Sequence, residues 1–280
     1  MQTPWQEIFG NWVLVPRHPI GIVHFLGGAF VAAAPHLTYR RLLECLANEG
    51  YIIIATPFVN TFDHEDIAET VLWSFNRALN RLQERENLSR ALPIYGLGHS
   101  MGCKLHLLIG SLFEAVERSG NILISFNNFA AKEAIPFMAQ MSSMPLVNQF
   151  TSQFAPAAMP TTEFIPSPQE TNRIISQQYV VRRNLLIKFA NDTLDQSLPL
   201  AGILEDLAPG MITTQRLRGN HLTPLGQDVK LGLGGAFSPI DTVGNLFRQE
   251  FFKELAQVEQ TIVRWLQPGY GLPGARTREW

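Results

Sequence analysis

Apolar residues enter this chain in two alternating rhythms. Short, nearly continuous runs rich in Val, Ile and Leu occupy 12–15, 20–26, 51–55, 92–97, 122–126, 185–190 and 211–217. Their length and β-branched content predict strands, and the continuous run at 51–55 predicts one buried on both faces. Between them, apolar residues recur every three or four positions: Leu37, Leu42, Leu43, Leu46 and Ala47; Ile67, Val71, Leu72, Phe75, Leu79 and Leu82; Leu105, Leu108, Ile109 and Leu112; and a last stripe over 243–266. These predict helices. Their ends are marked by Pro35 at an entry, Gly50 at an exit and Asp63 as an N-cap. Strand and helix in turn predict a mostly parallel, doubly wound α/β sheet with helices on both faces.

The alternation fails once. From Asn127 to about Pro166 the chain is rich in Phe, Met and Pro without a period, until Ser167-Pro168-Gln169-Glu170 restarts order as a capping box. The segment 127–181 is therefore expected to be a lid-like insertion in one domain spanning 1–280, and 268–280 a loose tail. Its Phe129, Phe137, Met138, Met141, Met144, Phe150, Phe154, Met159 and Phe164 suit an adaptable apolar pocket, or simply packing on the domain beneath.

Composition narrows the classes of function. With 280 residues, 46% hydrophobic and 16% charged, the chain can bury a sizeable core and is not a disordered one. A net charge of −2 with no basic block argues against a nucleic-acid partner. Cys45 and Cys103 make no disulfide framework, the first residues lack a signal-peptide pattern, and no run is long enough to span a bilayer. The expectation is a cytoplasmic protein acting on a small molecule.

The chemistry converges on Gly98-His99-Ser100-Met101-Gly102, between a buried strand and an amphipathic helix. A serine hydroxyl is a poor nucleophile, and it needs a base and an exposed position. A sharp strand-to-helix turn exposes it, the glycines clear the turn, and the helix N-terminus favours a developing oxyanion, with Met101 N–H one natural donor. Beyond the helix that follows this turn the sequence holds one more histidine, His221, directly following the strand at 211–217. The acid that orients it is expected after the strand at 185–190, where Asp192 follows most closely and Asp195 is the alternative. A second oxyanion donor is expected from the loop Leu26-Gly27-Gly28-Ala29-Phe30, as the N–H of Gly28, Ala29 or Phe30.

This ordered set resembles the α/β-hydrolase superfamily over nearly the whole chain outside the insertion and tail. Leu26 departs from it, standing where esterases of the HGGG type carry His. Gly96-Leu97-Gly98-His99-Ser100-Met101-Gly102-Cys103-Lys104 and Phe189-Ala190-Asn191-Asp192-Thr193-Leu194-Asp195-Gln196-Ser197 resemble the DUF1350 family in particular. The resemblance implies the fold and a hydrolytic function; the Phe and Met residues of the insertion add the expectation of an ester or thioester with a hydrophobic acyl group. The same residues would serve acyl transfer, and the fold also hosts binding proteins without catalysis.

No metal or cofactor is expected. Asp63-His64-Glu65-Asp66 reads as acids in a helix's first turn, and Gly232-Leu233-Gly234-Gly235 lacks the Lys-Ser/Thr of a phosphate loop. His106 reads as a packed or surface residue, and helical spacing turns Cys103 away from Ser100.

Overall fold

A computed structural model describes residues 4–29, 31–85, 88–113, 117–133, 163–225 and 240–267. Eight strands form one sheet in the order β1-β2-β4-β3-β5-β6-β7-β8. They are β1 (Gln6–Ile8), β2 (Asn11–Leu14), β3 (Gly21–Leu26), β4 (Tyr51–Ala55), β5 (Ile94–His99), β6 (Gly120–Ile124), β7 (Asn184–Phe189) and β8 (Ile212–Leu217). From β4 to β8 every pairing is parallel; β1 and β2 add antiparallel at one edge. The helices among the described residues are α1 (Pro35–Thr38), α2 (Arg40–Asn48), α3 (His64–Arg85), α4 (Met101–Leu112), α5 (Pro168–Gln178), α6 (Ser197–Leu207) and α7 (Ile240–Leu266).

Alternation along the strands sorts their side chains into two cores. Val23 and Phe25 of β3, Leu97 of β5, Ile122 and Ile124 of β6, and Ile187 of β7 point to the face covered by Leu42 and Leu46 of α2 and by Val258, Ile262 and Trp265 of α7. On the other face, Ile22, Ile52 and Ile94 meet Phe75 and Leu79 of α3. There too Leu26 meets Leu105 and Leu108 of α4, and Leu123 and Leu186 meet Leu107, Ile175 of α5 and Leu200 of α6. Both faces of β3 to β6 are thus dry, so continuous apolar runs mark them in the sequence. Each fully buried Leu, Ile or Phe contributes about 1.5–3 kcal/mol.

One polar row crosses this apolar interior. Arg118 Nη2 donates to His24 Nδ1 at 2.9 Å, His24 Nε2 lies 3.1 Å from Thr56 Oγ1, and Thr56 donates to Asn11 Oδ1 at 2.6 Å. A guanidinium can only donate, so His24 accepts at Nδ1 and donates from Nε2, and the row runs in one direction.

The seven expected strands are present with ends shifted by a residue or two, and β5 runs on to His99. Two elements were not expected. β1 pairs with β2 through a turn in which Phe9 (φ 50°) and Gly10 (φ 81°) both have positive φ, the geometry of a two-residue hairpin normally announced by Asn-Gly. Phe9 hides that announcement. α6 contains Pro199, which the first turn tolerates because its N–H would lack a partner anyway. The capping box is present: Ser167 Oγ accepts from Glu170 N–H while Glu170 Oε2 accepts from Ser167 N–H. Phe30, the tail, Gly232 to Gly235, and Phe137, Met138, Met141, Met144, Phe150, Phe154 and Met159 of the insertion lie outside the described residues.

Candidate active site

The site lies where the order of strands reverses. β4 lies on one side of β3 and β5 on the other, so the loops leaving β3 and β5 diverge at the strands' carboxyl ends. Leu26 pairs with Gly98 at that end. The glycine loop 27–28 and the turn after β5 are therefore neighbours. At Gly102 their contact is close enough to require glycine, since a Cβ there would lie 2.1 Å from Leu26 O.

Ser100 sits at the tip of the turn with φ 57° and ψ −120°, a conformation costing about 1–3 kcal/mol for a non-glycine residue. Its N–H is held by Ile124 O at 2.9 Å, and α4 begins at the next residue. Ser100 Oγ lies 3.0 Å from His221 Nε2, and His221 Nδ1 lies 2.9 Å from Asp192 Oδ2. A carboxylate can only accept, so Nδ1 carries the proton and Nε2 faces the hydroxyl as a base.

Two short loops deliver those partners. After β7, Asn191 N–H donates to Gly219 O at 3.0 Å, and Asp192 Oδ1 accepts from Leu194 N–H at 3.0 Å. After β8, Asn220 N–H donates to Thr223 Oγ1 and Leu222 N–H to Asn220 Oδ1, each at 2.9 Å, which closes the bend presenting His221. Burial pushes the Asp192 carboxyl up, but its hydrogen bond and charge interaction with His221 prevail and pull it down to about 2. Asp195 is elsewhere. It pairs with Lys188 Nζ at 3.1 Å and accepts from Ser197 N–H (3.0 Å) and Oγ (2.8 Å) at the start of α6.

Of the expected oxyanion donors, Gly28 is already engaged. Its N–H donates to Tyr39 Oη at 2.8 Å. Tyr39 Oη in turn lies 2.8 Å from His99 Nδ1, and His99 Nε2 lies 2.9 Å from His221 O. The His221 carbonyl can only accept, so His99 Nε2 carries the ring proton and donates to it, and His99 Nδ1 accepts from the Tyr39 hydroxyl. Burial pulls His99 down to about 3, so this neutral tautomer persists. Met101 N–H opens α4 beside Ser100, and Ala29 follows Gly28 in the loop.

Sequence reasoning missed Tyr39, His99 and Asn127. Asn127 Nδ2 donates to Ser100 Oγ at 2.9 Å. Other expectations are met in kind. Cys103 Sγ donates to Ile124 O, His106 is fully buried beside His24, and Asp63 Oδ1 caps α3 by accepting from Asp66 N–H at 2.9 Å. Among the described residues no group of His, Cys, Asp and Glu could hold a metal ion, and no helix is long and apolar enough to cross a membrane.

Residues 163–166 pack against α3 and α4. His64 N–H donates to Ile165 O at 2.7 Å, Lys104 Nζ donates to Pro166 O at 3.1 Å, and Phe164 stacks on His64 at 4.4 Å.

Residues 4–268 match the sequence profile of the family described as "Protein of unknown function (DUF1350)". Comparison with curated proteins returned no match. Among solved structures the chain is similar to the Pyrococcus furiosus esterase Pf2001, with 15% identity, coverage of 92% of this chain and 86% of that one, and a TM-score of 0.56. It is also similar to carboxyl esterase 2 of the fungus Tuber melanosporum, with 16% identity, coverage of 90% and 87%, and a TM-score of 0.53. At these identities the likeness shows the fold, that of the α/β-hydrolases.

Proposed function

We propose that this chain, which belongs to the DUF1350 family, is a serine hydrolase that cleaves an ester or thioester through Ser100, His221 and Asp192. The observation that carries the reading is the unbroken contact from Ser100 Oγ to His221 Nε2 (3.0 Å) and from His221 Nδ1 to the buried Asp192 (2.9 Å). An ordinary strand-to-helix turn has no need of a strained serine at its tip, or of a base and an acid brought from two other strands.

The reaction follows from those atoms. An Oγ lone pair bonds to the acyl carbon, the carbonyl π electrons move to oxygen, and the hydroxyl proton passes to His221 Nε2. Asp192 stabilises the imidazolium and holds its tautomer. Met101 N–H and the loop after β3 receive the oxyanion. Because Gly28 N–H is committed to Tyr39, that loop's donor falls to the N–H of Ala29 or Phe30. Collapse expels the alcohol or thiol, which takes the proton from His221. Water then repeats the sequence on the acyl-enzyme and returns Ser100. The preference for a hydrophobic acyl group rests on the insertion's Phe and Met content.

Labelling with a fluorophosphonate, whose fluoride Oγ displaces at phosphorus, tests the reading directly. Wild-type protein is expected to be labelled at Ser100 and to hydrolyse p-nitrophenyl esters, and Ser100→Ala to do neither. Asp192→Asn is expected to lower kcat by roughly 10³–10⁴-fold, by analogy with other serine triads, and Asp195→Asn to leave it near wild type. A wild type that is neither labelled nor active overturns the proposal in favour of a binding protein on the same fold.

A further inference from the structure

The oxygen of Ser100 has a second polar neighbour that the three-residue relay leaves unused. Asn127 Nδ2 lies 2.9 Å from Ser100 Oγ while His221 Nε2 lies 3.0 Å from it. The orientation of the amide follows from the hydroxyl. With the carbonyl end turned toward Oγ, Asn127 would compete with His221 for the single hydroxyl proton. With the nitrogen end toward it, Oγ accepts from Asn127, gives its proton to His221 and keeps one lone pair for attack.

The position of Asn127 is built. Asn128 N–H donates to Gln196 Oε1 at 2.6 Å, and Asn128 Nδ2 donates to Pro168 O at 2.9 Å and to Asn172 Oδ1 at 3.2 Å. Gln196 N–H donates back to Phe126 O at 2.7 Å. The residues on both sides of Asn127 are therefore tied to the loop after β7 and to α5. The strand order matters as well. Asn127 follows β6, whereas the glycine loop follows β3 on the opposite side of β5. Asn127 thus approaches the nucleophile from the side away from the loop that receives the oxyanion.

Resting on the serine-hydrolase reading, we propose that Asn127 is a catalytic hydrogen-bond donor to the nucleophile oxygen itself. It fixes the hydroxyl so that its proton points at His221. It also stabilises the negative charge that Oγ carries while its bond to the acyl carbon forms, and again while that bond breaks in hydrolysis of the acyl-enzyme. Because the contact is to Oγ and not to substrate, it serves every acyl chain and every leaving group alike.

Asn127→Leu keeps the branching at Cγ and removes the donor. Its kcat/KM for p-nitrophenyl butyrate and octanoate, and its rate constant for fluorophosphonate labelling of Ser100, are all expected to fall together by about 10–100-fold, the worth of a hydrogen bond to a charged group. KM and the melting temperature are expected to stay close to wild type. Gln196→Ala, which loosens the mount of Asn127, is expected to give a smaller loss of the same uniform kind. If Asn127→Leu does not fold, Asn127→Asp carries the test. Its carboxylate accepts the hydroxyl proton and opposes charge on Oγ, so labelling at pH 7 is expected to be at least as slow. A folded variant labelled at the wild-type rate overturns the inference. A loss confined to one chain length does so too, because it reassigns Asn127 to substrate recognition. An active, labelled wild type beside an indifferent Asn127→Leu sinks this inference alone, whereas an unlabelled wild type sinks the hydrolase reading and this one with it.

Discussion

Each polar atom around Ser100 has one task, and Tyr39 shows how tightly the tasks are linked. Its hydroxyl accepts from Gly28 N–H and donates to His99, whose other nitrogen holds the His221 carbonyl. Tyr39→Phe deletes that hydroxyl and leaves two buried groups, the Gly28 N–H and His99 Nδ1, without partners. Denaturant unfolding is expected to report a loss of about 1–3 kcal/mol. A variant as stable as wild type would mean that this chain of bonds contributes nothing. Ser100, Asp192 and His221 could be read from sequence because each follows a recognisable strand and the chemistry demands one of each. Tyr39, His99 and Asn127 could not. Tyr39 meets His99 across 60 positions and Asn127 meets Ser100 across 27, and neither pair leaves a local pattern. The choice between Asp192 and Asp195 also awaited coordinates, because both lie in one short loop and only the fold shows which one turns toward His221 and which caps α6.

At the scale of elements, the turn after β5 leaves no room for a side chain at Gly102. A methyl group on Gly102 would lie 2.1 Å from the backbone oxygen of Leu26, a contact that no side-chain rotation relieves. Gly102→Ala is therefore expected to separate β3 from α4 and to abolish both soluble expression and Ser100 labelling. Gly202 in α6 is the contrast: a Cβ added there would meet nothing within 4 Å. Gly202→Ala is expected to stabilise the protein by about 0.5–1 kcal/mol by restricting the unfolded chain, and unfolding midpoints that move in the same direction for both variants would contradict this contrast. Elements read best from sequence where burial on both faces imposes a pattern, as in β3 to β6. They read worst where a local rule is broken, as by Phe9 in the hairpin and Pro199 in α6.

At the scale of the whole molecule, the segment leading into α5 is held by a buried amine, Lys104, at Pro166 O. Lys104 on α4 is almost wholly buried, and burial pulls its ammonium down to about 7 despite the opposing pull of Glu163. In the unfolded chain it keeps its proton to about pH 10. Between those values the unfolded state binds more protons, so stability rises with pH; below about 7 the cost of the buried charge is felt in full. Lys104→Met is expected to stabilise the protein most at pH 6 and progressively less toward pH 9, and a difference that does not change with pH would contradict it. Pro166 O, which loses Lys104 in this variant, keeps Thr171 Oγ1 at 3.4 Å.

The polar row from Arg118 through His24 and Thr56 to Asn11 has a consequence for assembly of the sheet. Ile and Val strands that slide past each other by two residues still bury the same amount of hydrocarbon, so greasy segments alone define their alignment poorly. A shifted β3 would strand a guanidinium, an imidazole, a hydroxyl and a carboxamide together in the dry interior. One histidine in an otherwise apolar strand therefore acts as an index mark: it makes a misaligned sheet expensive, and it does so in the strand whose end sets the glycine loop against Ser100.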